Sequence, residues 1–287
     1  LQSYDIASGK TTQLKAATRD DNNVGKNLAF VEANFSPDGK KLGLKWYGWE
    51  ISGVALMDSD GSNYQQFTKG VEGGDLVFSP DSKQFVIAST RNDFGGEPAR
   101  LYVADVANPD NGKEILPKEI KAAGGQPAQA KDAYTPSWSP DGKKIAFGYK
   151  YLDTGDTSND KANKYLGIYA INADGTNFHE ITSNQSFSSN PLWKDNSTIV
   201  YGLSKIYAGS KQGIFSIQDN GQNNTQIYSS SVISYNPISI SPENKYVVYL
   251  SGSPQSYTDT IHDLSVLNLE TKESRSLGTS TFIGWIK

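Results

Sequence analysis

The sequence predicts an all-β protein, a six-bladed β-propeller whose last blade is closed by the N- and C-terminal strands. Three observations carry that prediction. A Ser-Pro-Asp-Gly turn between β-rich runs returns along the chain. It stands at Ser36-Pro37-Asp38-Gly39, Ser79-Pro80-Asp81-Ser82, Ser139-Pro140-Asp141-Gly142 and Ser241-Pro242-Glu243-Asn244, with a worn copy at Trp193-Lys194-Asp195-Asn196. Each copy is followed by a second hairpin. Helical periodicity is almost missing: of the 287 residues, only 113–123 suggests a turn or two of helix.

The physics of the repeated turn is local. Proline presets φ at the second turn position, Asp or Asn hydrogen-bonds nearby backbone, and Gly or Asn accepts positive φ. An aromatic just before the turn and a β-rich run just after it make a hairpin signal. The second hairpins fall at 54–68 (turn Asp60-Gly61), 101–116 (turn near Asn111-Gly112), 168–182 (Asp174-Gly175), 214–228 (Asn220-Gly221) and 264–278. A sixth, at 1–14, opens the chain. One repeat is therefore four strands, a to d, and four strands in roughly 40–50 residues describe a propeller blade. At the other end, 280–287 matches strand a, with Trp285 in the place of Trp138 and Trp193. Joining it to the 1–14 hairpin would close a composite sixth blade within a single domain over 1–287, and would cover two sheet edges.

The run Trp138-Ser139-Pro140-Asp141-Gly142-Lys143-Lys144-Ile145-Ala146-Phe147, followed by Ile168-Tyr169-Ala170-Ile171-Asn172-Ala173-Asp174-Gly175, closely resembles the PD40 (WD40-like) repeat of TolB-like six-bladed propellers. The resemblance covers nearly the whole chain. It implies the fold and a periplasmic or otherwise exported protein of a bacterial envelope. It implies no single function, because this architecture carries binding modules and enzymes alike. TolB's separate α/β domain has no counterpart in these residues. The first residue is Leu rather than Met, so a mature or trimmed form is expected.

Within each repeat, strand a carries Phe35, Phe78, Trp138, Trp193, Ile240 or Trp285, expected to pack between neighbouring blades. The residue before the c–d turn is Asp5, Asp58, Asp105, Asn172, Gln218 or Asn268, expected to cap turn amides. In an antiparallel blade the a–b and c–d turns share one face and are tight here. The other face takes the long connections 15–29, 91–100, 117–134, 151–167, 205–213 and 251–263, and long loops commonly carry function. Trp46, Trp49, Tyr134, Tyr149, Tyr151, Tyr165, Tyr207 and Tyr257 belong to that face as candidate binding anchors. The alternative is that they cover blade ends. His262, beside Asp263, is the one candidate acid or base there; His179 reads as a solvated strand residue.

Composition excludes several classes. With 27 basic and 31 acidic residues the net charge is −4, and no Lys/Arg-rich run offers a nucleic-acid footprint. There is no cysteine, hence neither disulfides nor thiolate metal sites. Apolar runs fall far short of the roughly 20 residues a membrane helix needs. Gly-x-Ser-x-Gly, His-Glu-x-x-His and phosphate-loop motifs are all missing. Asp153, Asp156 and Asp160, hard oxygen ligands in a Gly-containing loop, are the one candidate Ca²⁺ site, against a plain solvated loop. No other cofactor is expected. The reading is a monomeric, non-catalytic module that recognises a protein, peptide or glycan on its long-loop face. Its alternatives are a hydrolase or lyase with a metal in a central funnel, or the propeller part of a larger peptidase-like protein.

Overall fold

The computed structural model describes residues 1–5, 10–15, 29–47, 52–67, 72–90, 99–118, 120–121, 127–153, 166–182, 188–203, 212–230, 234–252 and 263–278. They divide into two compact units, Leu1–Ile115 and Leu116–Lys287.

In the first unit, β1 (Gln2–Asp5) and β2 (Lys10–Gln13) form a hairpin. Two four-stranded blades follow. One is built from β3 (Ala29–Phe35), β4 (Lys41–Tyr47), β5 (Ser52–Asp58) and β6 (Gln65–Gln66). The next uses β7 (Glu72–Phe78), β8 (Gln84–Thr90), β9 (Arg100–Asp105) and β10 (Asn108–Glu114). The second unit holds three blades. The third blade of the chain comprises β11 (Ile120–Lys121), β12 (Pro127–Trp138), β13 (Lys144–Asp153), β14 (Leu166–Asn172) and β15 (His179–Glu180), with β11 on its edge. The fourth contains β16 (Ser188–Trp193), β17 (Thr198–Leu203), β18 (Gly213–Gln218) and β19 (Thr225–Tyr228). The fifth contains β20 (Ser234–Ile240), β21 (Tyr246–Gly252), β22 (Asp263–Asn268) and β23 (Ser274–Gly278). Neighbours in every sheet are antiparallel and follow chain order, so a–b and c–d turns lie at one end of each sheet and b–c connections at the other.

Among the described residues five blades are present, not the expected six, and no composite closing blade is seen. The opening hairpin is a two-stranded sheet of its own, paired from Gln2↔Gln13 to Asp5↔Lys10. Its base is closed by its own backbone: the Leu1 ammonium donates to the Lys15 carbonyl at 2.8 Å, and the Leu14 amide to that of Leu1 at 3.1 Å. Leu1 and Leu14 then pack against Leu42, Leu44, Trp46, Ala55 and Met57 of the first blade. Those contacts seat the two-stranded hairpin against the first blade. Residues 282–287, expected to supply its third strand, lie outside the described residues.

Two local expectations also change. The stretch 113–123 contains no helix among the described residues; β10 runs to Glu114 and 120–121 pairs with β12. The second-blade c–d turn falls at 106–107 rather than Asn111-Gly112, and the register slips between Asn108 and Lys113. Pro109, unable to donate to the ladder, sits inside that slip, which is where a sheet edge tolerates proline.

The repeated turn owes its strength to its serine. Ser36, Ser79, Ser139 and Ser241 are all buried. In the third blade the Ser139 hydroxyl donates to Asp141 at 2.7 Å and accepts the Lys144 amide at 2.9 Å, while Gly142 donates to the Ser139 carbonyl at 2.8 Å. Ser36 with Asp38 and Ser79 with Asp81 repeat the clasp at the same 2.7 Å. Gly39 and Gly142, as well as Ser82 and Asn244, take the positive φ the turn demands. In the fourth blade, which lacks the serine, Asp195 receives the amides of Ser197 and Thr198 directly at 2.8 Å.

Three of the strand-a residues, Phe78, Trp193 and Ile240, pack between blades as expected, and Phe35 does not. Phe78 joins Val54, Leu56 and Phe67 of the first blade to Phe85 and Ile87 of the second. Trp193 lies against Ala146, Ile168, Ala170 and Ile181 of the third, its indole N–H donating to the Ser137 carbonyl at 3.0 Å. Ile240 seats against a cluster containing Val200 and Ile214 of the fourth. Phe35 is 61% exposed: among the described residues no blade precedes its own. Trp285 lies outside them. Of the residues before c–d turns, Asn268 caps the amides of Glu270 and Thr271. Asp58 instead binds the Lys41 ammonium at 2.5 Å and the Asn63 side chain.

Candidate recognition face

The b–c ends of the sheets are where the candidate anchors were placed. Trp46, near the end of β4, is 4% exposed and belongs to the first-blade core. Opposite it in register stands Gly53, where a Cβ would come within 2.6 Å of the indole. Tyr134 pairs with Gly148 in the same way, and a Cβ there would lie 2.2 Å from its ring. Burial, together with the Asp132 carboxylate, pushes the Tyr134 phenol well above its ordinary range. Tyr149 is fully buried, edge-on to Tyr169 at 5.4 Å and to Phe147 at 6.0 Å. These three aromatics are packing residues. Near the loop ends the strands still alternate in and out, and glycine on the partner strand opens a slot that a large ring fills.

Tyr151 stands on β13 opposite Ala130. Asp153 ends that strand opposite Ala128. Trp49, Tyr165, Tyr207, Tyr257, His262, Asp156 and Asp160 lie outside the described residues, as do the side chains of Tyr151 and Asp153. The described residues bring none of the proposed anchors together at one point. Among them no group of three His, Cys, Asp or Glu side chains is placed to hold a metal ion.

Sequence reading missed the polar pairs at these ends, since they join residues far apart in the chain. In the second blade Arg100, the first residue of strand c, meets Glu114 of strand d at 2.6 Å. Between the first two blades Lys45 and Asp75 stand 3.3 Å apart. In the fifth, the buried Tyr235 hydroxyl accepts the Ser230 amide at 2.6 Å and fixes the chain as it enters strand a. At the opposite ends of the sheets, polar groups of the third blade engage the fourth. His179, expected to be solvated, is partly buried, and its ring nitrogens face the carbonyl oxygens of Asn177 and Asp219, each at 2.8 Å. Lys144 reaches Asp219 at 2.5 Å across the same junction.

Comparison with solved structures places this architecture. A putative TolB from Agrobacterium tumefaciens superposes with a TM-score of 0.65 at 17% identity, over 96% of this chain and 86% of that one. TolB from Acinetobacter baumannii gives 0.61 at 18%, over 96% and 59%. An oligogalacturonate lyase in complex with manganese gives 0.63 at 16%, over 96% and 71%. At such identities the likeness establishes the fold, an all-β propeller of the TolB-like kind. No family model matches the chain, and no curated protein matches its sequence. Among the described residues no helix is long and apolar enough to cross a membrane.

Proposed function

We propose that the chain is a recognition module of the TolB-like propeller class, binding a protein, peptide or glycan in the cell envelope through the loop-bearing ends of its blades. One observation supports it above the rest: the two ends of each sheet are unequal. At the turn ends, the polar groups of the Ser-Asp clasps are spent on each other. The b–c connections are of another kind, with 91–99 joining β8 to β9 and 154–165 joining β13 to β14. Variable loops on a rigid scaffold are where binding residues concentrate. With Trp46, Tyr134 and Tyr149 assigned to packing, the anchors are Trp49, Tyr151, Tyr165, Tyr207 and Tyr257.

Likeness to a manganese-bound lyase favours a second reading, metal-assisted cleavage of a glycan. Its candidate ligands here remain Asp153, Asp156 and Asp160, with His262 as acid or base.

One experiment separates the readings. The chain and a Trp49→Ala, Tyr151→Ala variant are compared for binding to envelope extract and to an oligosaccharide panel, with product release followed with and without manganese. Recognition predicts retention of a partner that the variant loses, each anchor supplying about 2 kcal/mol or more, with the oligosaccharide intact. A control with Lys143→Ala and Gln222→Ala, both exposed at turn ends, keeps the partner. Loss in the control alone would overturn the assignment of faces. Manganese-dependent product release would replace recognition by catalysis.

A further inference from the structure

At the turn end of the second unit, the fourth and fifth blades flank a solvent-open cavity of ≈ 250 Å³ whose lining includes Lys194, Lys272, Ser216, Thr225, Gln226 and Leu269. The corresponding place between the third and fourth blades is filled. There the pair Ala170↔His179 occupies the register that Ser216↔Thr225 takes one blade on. The His179 ring crosses to the Asp219 carbonyl, and Lys144 neutralises the Asp219 carboxylate. Asp219 and Leu269 are equivalent: each donates its amide to the preceding turn, to Ser197 and Lys245 respectively, at 2.9 and 2.8 Å. One blade on, therefore, threonine replaces the filling histidine and leucine replaces the neutralising aspartate. Space and positive charge remain together.

Among the described residues neither lysine is paired with a carboxylate. Lys194 makes no ion pair among the described residues. The Lys272 ammonium donates to the Leu269 carbonyl, a neutral partner. Of the adjacent carboxylates, Asp195 is engaged by the amides of Ser197 and Thr198, Glu270 leans toward Lys245 at 3.8 Å, and Glu273 accepts the Thr271 hydroxyl at 3.4 Å. Burial, then the charge of Lys194, lower the Lys272 pKa from its ordinary value, a penalty that a bound anion would relieve.

From this geometry we propose that the cavity between the fourth and fifth blades binds a small dianionic oxyanion of the phosphate type. Two ammonium groups match two negative charges. Lysine takes phosphate as a point charge and needs no planar fork. Ser216 adds a hydroxyl beside them. The site lies at the turn ends, apart from the loop ends assigned to recognition, so its success or failure is independent of that reading.

The test is titration of the full chain by isothermal calorimetry at constant ionic strength, with inorganic phosphate, a simple phosphomonoester, sulfate and acetate as separate arms. Saturable binding of phosphate, and weaker binding of the monoanion acetate, is expected. Lys194→Gln should weaken phosphate by about tenfold or more. Thr225→His, which restores the filler of the preceding junction, should abolish binding while circular dichroism stays native. Lys143→Gln, an exposed lysine on another turn, should change nothing. A phosphomonoester binding more tightly than phosphate supports the proposal and assigns the group to a larger ligand; the reverse order supports it with the free ion as ligand. Absence of saturable phosphate binding, acetate binding as tightly as phosphate, or unchanged affinity in both Lys194→Gln and Thr225→His would overturn it.

Discussion

Trp193 and Phe35 hold equivalent positions at the end of strand a, yet their surroundings differ completely. Trp193 is 6% exposed, against four side chains of the preceding blade; Phe35 projects into solvent. Trp193→Ala should therefore destabilise by about 3–5 kcal/mol, the range for truncating a buried aromatic. Phe35→Ala should cost no more than about 0.5 kcal/mol. Denaturant midpoints measure both, and a large effect at Phe35 would mean that another surface covers it. The clasp serines act at the same scale. Ser139 is fully buried, and its alanine variant strands the Lys144 amide and removes a donor from Asp141. A loss of about 1–3 kcal/mol is expected. A neutral Ser139→Ala would show that the Pro-Asp-Gly turn holds without its serine.

At the scale of the strand, glycine and aromatic form a unit across the ladder. Gly148 with Tyr134 and Gly53 with Trp46 are in direct register, and each ring occupies the volume a methyl group would take. Gly148→Ala should force Tyr134 off its rotamer at a cost of about 1–3 kcal/mol. Tyrosine fluorescence and thermal melting would record it. An unchanged melting temperature would mean that the ring moves aside freely, returning Tyr134 to the set of binding candidates. Sequence reading placed Trp46 and Tyr134 at the loop ends of their strands, where they are. It could not see them packed inward, because that depends on which residue faces them across the sheet.

Over the whole molecule the clasps share one electrostatic consequence. The Ser36, Ser79 and Ser139 hydroxyls hold the carboxyls of Asp38, Asp81 and Asp141 below the ordinary aspartate value of 3.8. The Lys41 ammonium does the same for Asp58, and Ser62 for Asp60. A carboxyl whose folded pKa is lowered stabilises the fold fully above its unfolded pKa, and that contribution fades as pH falls through the folded value. Melting temperature should thus be level through neutral pH and drop below about pH 4. Joint replacement of Asp38, Asp81 and Asp141 by Asn should flatten the drop. An equally steep loss in that variant would place the acid-sensitive groups elsewhere.

The sequence by itself determined the unit of construction. Pro, Asp and Gly dictate the a–b turn through φ preferences and local hydrogen bonds, which act over four residues and need no distant partner. Strand alternation and the repeated aromatic then specify a four-stranded blade, and the propeller class follows from its repetition. Tertiary structure alone decided how many times the blade is completed and which aromatics remain for recognition. The 1–14 hairpin pairs only with itself among the described residues, and Leu1 and Leu14 seat it against the first blade. Whether a junction is filled, as by His179, or left open beside Lys194 and Lys272, depends on residues contributed by two successive blades. Contacts between residues so far apart in the chain leave no periodic trace in either segment, and only packing brings them together.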